Sequence, residues 1–169
     1  MDNKLALKGQ ILIILKNEET GEERIIEGKN IVTNDGDAYY AQMACGETPD
    51  DDFDAGTAGM HLGTGTTTPT KTDTDVTTED TEGRLAVDTG YPQTDDPDTD
   101  NTLGGVDVVT WRYSYGTSEG NITDIAELAI VDVLTAATAA LCHALFGSTF
   151  TKTSSDTLKV FVNHTFNGT

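Results

Sequence analysis

Three groups of residues have the types and spacing for chemistry. The first is the acidic loop DDPDTDN at 95–101. Asp96, Asp98 and Asp100 alternate as the carboxylates of a calcium loop do, and Asp107 falls where a closing bidentate carboxylate would stand. The loop lacks the glycine that follows the third ligand, and Asn101 is there instead. A solvated acidic loop therefore ranks above a calcium site, and Ca2+ is the one cofactor kept in view. The second group is HLGTGTTTPT at 61–70. A phosphate-cradling loop needs G-x-x-x-x-G-K-[ST] opening a helix, so that backbone N–H groups and a lysine converge on the phosphates. Here Gly63 and Gly65 sit two apart and the run ends at Pro69. It reads as a strand exit whose glycines meet a need for unusual backbone angles.

The third group is the scatter of His61, His143 and His164 with Cys45 and Cys142. It has no metal-ligand spacing. Cys142 and His143 are neighbours on an expected strand, so they point to opposite faces and form no dyad. The cysteines read as two ordinary thiols rather than a disulfide. No Ser-His-Asp, G-x-S-x-G or paired-carboxylate arrangement stands out, so the chain is not expected to be an enzyme. N-x-T sequons at Asn121 and Asn163 are what a threonine-rich chain supplies by chance.

The bulk numbers bound the partners. The net charge is −19, from 29 acidic and 10 basic residues. Such a surface repels nucleic-acid phosphates and anionic membranes. The acid is spread over nearly every loop and lysine is scarce, which points to a surface adapted to high salt, where screening removes self-repulsion. A halophilic host is expected. The run ILIIL at 11–15 is too short to span a bilayer or to be a secretory leader. At 169 residues the chain suits one domain, and its apolar residues come in blocks that argue for a folded core.

Those blocks define the elements. LALKGQILIILKN (5–17) and RIIEGKNIV (24–32) read as two arms of a hairpin turning at Gly21. TNDGDAYYAQMACG has a capping Thr33 or Asn34, Asp35 and Asp37 in its first turn, and Gly46 to end it, which predicts one short helix near 34–45. AGMHLGTG and RLAVDTG read as short strands. VDVVTWRYSYG (106–116) alternates, with Trp111, Tyr113 and Tyr115 on the face expected to be buried. ITDIAELAIVD (122–132) reads as either helix or strand. AALCHALFG (139–147) and TLKVFVNHTF (157–166) read as strands. The segments 66–83 and 91–105 are polar and read as exposed loops. The tally predicts a mainly β chain, an antiparallel β-sandwich or jelly roll, forming a single domain over 1–169. The N-terminal hairpin, 5–32, is long for so little apolar content, and part of it is expected to make subunit contacts.

Three stretches, in order, resemble small structural proteins of tailed phages and haloarchaeal tailed viruses. They are KNIVTNDGDAYYAQMACG, MHLGTGTTTPTKTDTDV and the C-terminal run from GNITDIAELAI to KTSSDTLKVFVNHTF. The second is similar to an LGTGTTxPxxxDTxL segment. The third is similar to a K-T-x-x-D-T-L-x-V ending, matched by Lys152, Thr153, Asp156, Thr157, Leu158 and Val160, with Phe161 or Phe166 in place of a final tryptophan. The resemblance implies a virion component, β-rich and homo-oligomeric. A capsid decoration or turret protein is favoured over a tail-fibre or baseplate part, with capsid or tail subunits as further partners. A second reading is a host-glycan-binding module presenting Trp111, Tyr113 and Tyr115 as a sugar platform, which a solvent-facing tryptophan would favour. A hydrolase ranks last.

Overall fold

A computed structural model describes residues 7–54 and 56–166. Leu5 and Ala6, the first residues of the expected hairpin, lie outside the described residues. The elements run β1 (Leu7–Asn17), β2 (Glu23–Val32), α1 (Asn34–Cys45), β3 (Gly59–Gly63), a 3-10 turn (Thr81–Gly83), β4 (Leu85–Ala86), β5 (Gln93–Thr94), β6 (Val108–Tyr115), β7 (Ile125–Val131), β8 (Ala140–Phe150) and β9 (Asp156–Phe166). The strands form one antiparallel sheet in the order β4-β3-β7-β8-β2-β1-β9-β6-β5. The mainly β fold with one short helix is the one the patterning predicts.

The two layers of the expected sandwich are the two halves of this single sheet. They meet at the short pairing of Asn30, Ile31 and Val32 with Ala144, His143 and Cys142. The sheet curls until its ends approach, and Asp88, just past β4, donates its N–H to the carbonyl of Arg112 on β6. One core fills the curl, drawing Ile11, Ile13, Trp111 and Val160 from one half and Met60, Leu62, Leu128 and Ile130 from the other. Burial of these side chains is the main favourable term of the fold.

The N-terminal hairpin forms and turns at Gly21, whose φ of 72° lies in the left-handed region that glycine tolerates. β1 is an interior strand of its half. It pairs along its length with β2 and with β9, so it is saturated within the chain. Of the two strands of the hairpin, β2 is the one that keeps an outer edge. No described strand pairs with that edge over Glu23–Lys29, where Ile25 is 63% exposed.

Helix α1 begins where predicted. The Thr33 hydroxyl accepts the N–H of Gly36 at 3.0 Å, and Gly46 closes the helix in the left-handed conformation. Gly36 lies against β8: a Cβ there would stand 2.1 Å from the Leu141 carbonyl oxygen. Tyr39 turns into the core and meets Phe53 edge-on at 5.4 Å.

Strand β7 explains the ambiguity over 122–132. All seven of its residues are buried. A strand covered on both faces loses alternation and reads as a continuous apolar run. The cover on its outer face is a segment expected to be an exposed loop.

Candidate functional site

Register places His61 of β3, Ala129 of β7 and His143 of β8 in one row across the sheet, on the face away from the core. Glu127 lies two residues along β7 on that face. Cross-strand partners share a face, and residues two apart on a strand do too. A bare sheet would leave this row in water. Instead the chain leaves β3 at Gly63, turns at Thr70–Asp73, and crosses back over the row before rejoining the sheet edge beside Leu62–Thr64. Val76 seals it against Ala129, Val131 and Ala140.

Three buried side chains hold this crossing segment, 70–80. Glu127 is fully buried and accepts the N–H groups of Gly65 (2.9 Å), Thr77 (2.9 Å) and Thr78 (2.8 Å). His143 is 1% exposed, with Nε2 2.9 Å from Glu127 and Nδ1 2.6 Å from Asp73. A ring with a carboxylate at each nitrogen satisfies both only as the doubly protonated cation. Burial pushes its pKa down, but Glu127 and Asp73 outweigh burial and the net shift is upward. For Glu127, burial pushes upward, but His143 and the three backbone N–H groups prevail and hold it at about 2.

His61, also 1% exposed, has Nε2 2.7 Å from the Leu134 carbonyl, while Nδ1 faces Asp75 at 2.7 Å and Glu79 at 3.5 Å. Glu79 is gripped in turn by Arg84, through Nε and through Nη2 at 2.9 Å. Among the described residues, this is the one group of His, Cys, Asp and Glu whose ligand atoms converge closely enough to share a metal ion.

The opening glycines have a different cause from the one expected. Neither Gly63 nor Gly65 has a positive φ. A Cβ on Gly65 would stand 2.3 Å from the Glu127 carboxylate, and one on Gly63 would stand 2.6 Å from the Thr78 carbonyl. Glycine is there because the carboxylate and the returning chain come so close.

The acidic loop at 95–101 does not gather its carboxylates around one point. Asp96 accepts from Tyr91 (2.6 Å) and Asn101 (2.9 Å). Asp98 pairs with Arg112 (3.0 Å) and Lys159 (3.1 Å), and Asp100 pairs with Lys159 (2.7 Å). Asp107 is exposed and apart. Asp96, Asp98 and Asp100, the candidate calcium ligands of the loop, are therefore engaged by the chain's own cations and donors, as suits the acidic-loop reading ranked above calcium. Asn101, which stood where the calcium loop needs glycine, is the anchor. It is buried, and its Nδ2 reaches Thr110 (3.2 Å) and Asn163 (2.9 Å) on the outer face of β6 and β9. This also buries the second sequon, because Asn163 has no exposed surface.

Trp111, Tyr113 and Tyr115 line the core face of β6 and are at most 2% exposed. They pack the interior and form no solvent-facing sugar platform. His164 is buried as a neutral ring beside Tyr40 (2.6 Å) and Asn30 (3.0 Å), and burial lowers its pKa to about 3. Cys142 is buried, Cys45 is exposed, and both are free.

Sequence reasoning missed the gathering of His61, His143, Asp73, Asp75, Glu79 and Glu127. A signal was present: Val76 is a lone apolar residue inside TKTDTDV, flanked by acidic residues at alternate positions. A comparison with known protein families, curated proteins and solved structures finds no match.

Proposed function

We propose that the chain is a structural protein of a tailed virus, a self-associating building block on the particle surface in the manner of a capsid decoration or turret protein, adapted to a high-salt host. The observation that carries this reading is the use made of the residues with chemical potential. In the segments resembling phage structural proteins, Gly63, Gly65, Asp73 and Val76 fasten a covering segment to the sheet. Asp156 caps its own turn by accepting the N–H of Thr153 at 2.8 Å and its hydroxyl at 2.7 Å. The shared residues serve rigidity, so the chain's work is left to its surfaces. The tail-component reading rests on the same segments. The glycan reading would need a platform other than the buried aromatics.

The outer edge of β2 is the surface for self-association. An unpaired edge with an exposed isoleucine is a template for pairing with another chain. Because β1 is paired along its length on both sides, deleting it would destroy the fold, so the edge is the place to intervene. Light scattering at molar salt is expected to give a discrete cyclic oligomer. Ile25→Lys is expected to give a monomer with unchanged circular dichroism. A wild-type chain that stays monomeric at every salt concentration rejects self-association.

A further inference from the structure

We propose that His61, Asp75 and Glu79 bind one divalent transition-metal ion, zinc by their ligand chemistry, which clamps the 70–80 segment onto the sheet. The surroundings of His61 fix its tautomer. The Leu134 carbonyl, 2.7 Å from Nε2, can only accept, so Nε2 must carry a hydrogen. In the neutral ring the Nδ1 lone pair then points at Asp75 Oδ1 (2.7 Å) and Glu79 Oε1 (3.5 Å). Three ligand atoms meet at one place, and a cation must join them. In the metal-free chain it is a proton on Nδ1, which burial opposes but Asp75 and Glu79 favour, so that the net pKa shift is upward. A metal ion would displace that proton while Arg84 keeps its hold on Glu79 Oε1. Ligand atoms on a tetrahedral zinc lie about 3.3 Å apart, given bonds of roughly 2.0–2.1 Å. Seating the ion requires the Asp75 contact to open by roughly half an ångström. Asp75 is 28% exposed on a loop and has room to give.

The surroundings are those of a metal centre. The Leu134 carbonyl fixes the ring tautomer, Arg84 orients Glu79, and the N–H of Val76 donates to Asp75 at 2.7 Å. The imidazole is almost fully buried while the two carboxylates are 22% and 28% exposed, so the ion would sit at the mouth with its remaining position toward water. One imidazole with two carboxylates suits zinc and disfavours calcium, which takes oxygen ligands alone. The neighbouring His143 cannot do the same. Both its nitrogens face carboxylates, and one of these, Glu127, is saturated by backbone donors. The stoichiometry is therefore one ion per chain.

The experiment strips the full-length chain with a chelator and titrates Zn2+ against a chromophoric competitor. Elemental analysis gives the stoichiometry and Co2+ serves as a spectroscopic reporter. The wild type is expected to take up one equivalent, to show the visible bands of low-symmetry nitrogen–oxygen cobalt, and to melt at a higher temperature when loaded. Asp75→Asn and Glu79→Gln, each checked for native circular dichroism, are expected to weaken binding by roughly tenfold or more. Asp73→Asn, on the His143 side, is expected to bind as the wild type does. Three results would overturn the proposal: no stoichiometric zinc uptake by the wild type, uptake unchanged in both ligand variants, or equal uptake of Ca2+, which would mark general attraction to an acidic surface.

Discussion

Segments 70–80 and 95–105 lie across the outer faces of the two halves of the sheet. Both are polar, and both carry aspartate at alternate positions. The first is fastened from beneath by buried charge: His143 between Glu127 and Asp73, and His61 before Asp75 and Glu79. The second is fastened by neutral groups, with Asn101 on Thr110 and Asn163, while Asp98, Arg112 and Lys159 form half-exposed ion pairs at its rim. The same task, covering an outer sheet face without apolar bulk, is met in two ways. Buried ions couple their segment to pH and to cations. Buried amides and hydroxyls do not. A chain with so little apolar residue to spare builds its outer layer from hydrogen bonds, and each anchor must be fully satisfied to be favourable.

The comparison breaks most visibly at Glu127. Glu127→Ala removes the acceptor of three backbone N–H groups and strands the His143 cation in the sheet. Losing one partner of a buried ion pair costs about 3–5 kcal/mol, so the variant should be strongly destabilised in urea unfolding. A loss near 1 kcal/mol would mean that water replaces the carboxylate and that segment 70–80 is a loose cover. Asn101→Ala is the matching cut in the other half. It leaves Asn163 and Thr110 partly unpaired and should cost about 1–3 kcal/mol by the same measurement. Equal losses for the two variants would erase the distinction between charged and neutral anchoring.

The fold was legible where burial is one-sided. The alternation at 106–116 set the aromatic face of β6, and Thr33 and Gly46 bounded the helix, because local chemistry decides those features. It was illegible where burial is two-sided. β7 gave no alternation because segment 70–80 covers it, and that segment looked solvated because its anchors lie on other strands. His61 and Asp75 are 14 residues apart in the chain, and His143 and Asp73 are 70 apart. Only the sheet register brings them together, and no spacing rule reads register from one chain. Asn101 shows the same limit. It looked like a defect in a calcium loop, and it is the residue that docks the loop.

A pH titration of stability sharpens the comparison further. The His143 pKa is raised above its ordinary 6.5, so its contribution is complete below that value and is lost as pH rises through the folded-state pKa. The Glu127 pKa is depressed from 4.5 to about 2, so its contribution is complete above 4.5 and is lost as pH falls toward 2. Together they place the anchoring of segment 70–80 at full strength between these bounds, on the mildly acidic side, with a decline on the alkaline side. Chemical denaturation from pH 4 to 9 should show that decline in the wild type and in Asn101→Ala alike, and should show it flattened in Glu127→Ala. The part of the decline that survives in Glu127→Ala belongs to His61. Burial pulls its pKa down, but Asp75, the Leu134 carbonyl and Glu79 prevail and raise it. A decline undiminished in the variant would clear His143 of the effect.

The smallest effect belongs to the rim of the second segment. Asp98 holds Arg112 and Lys159 at 3.0 and 3.1 Å, with side chains 13%, 27% and 32% exposed. Burial raises the Asp98 pKa, but the N–H of Asp100 and the two cations more than reverse this, so it stays ionised through the neutral range. Pairs so near water are worth up to about 1 kcal/mol and are screened by salt. Asp98→Asn should therefore lower stability by less than about 1 kcal/mol in dilute buffer and by almost nothing at molar salt. The wild type should meanwhile gain from salt, because screening relieves the repulsion of its net charge of −19. If the variant's deficit is instead unchanged at molar salt, the Asp98 contacts act as hydrogen bonds of the buried kind, and the two segments are more alike than their anchors indicate.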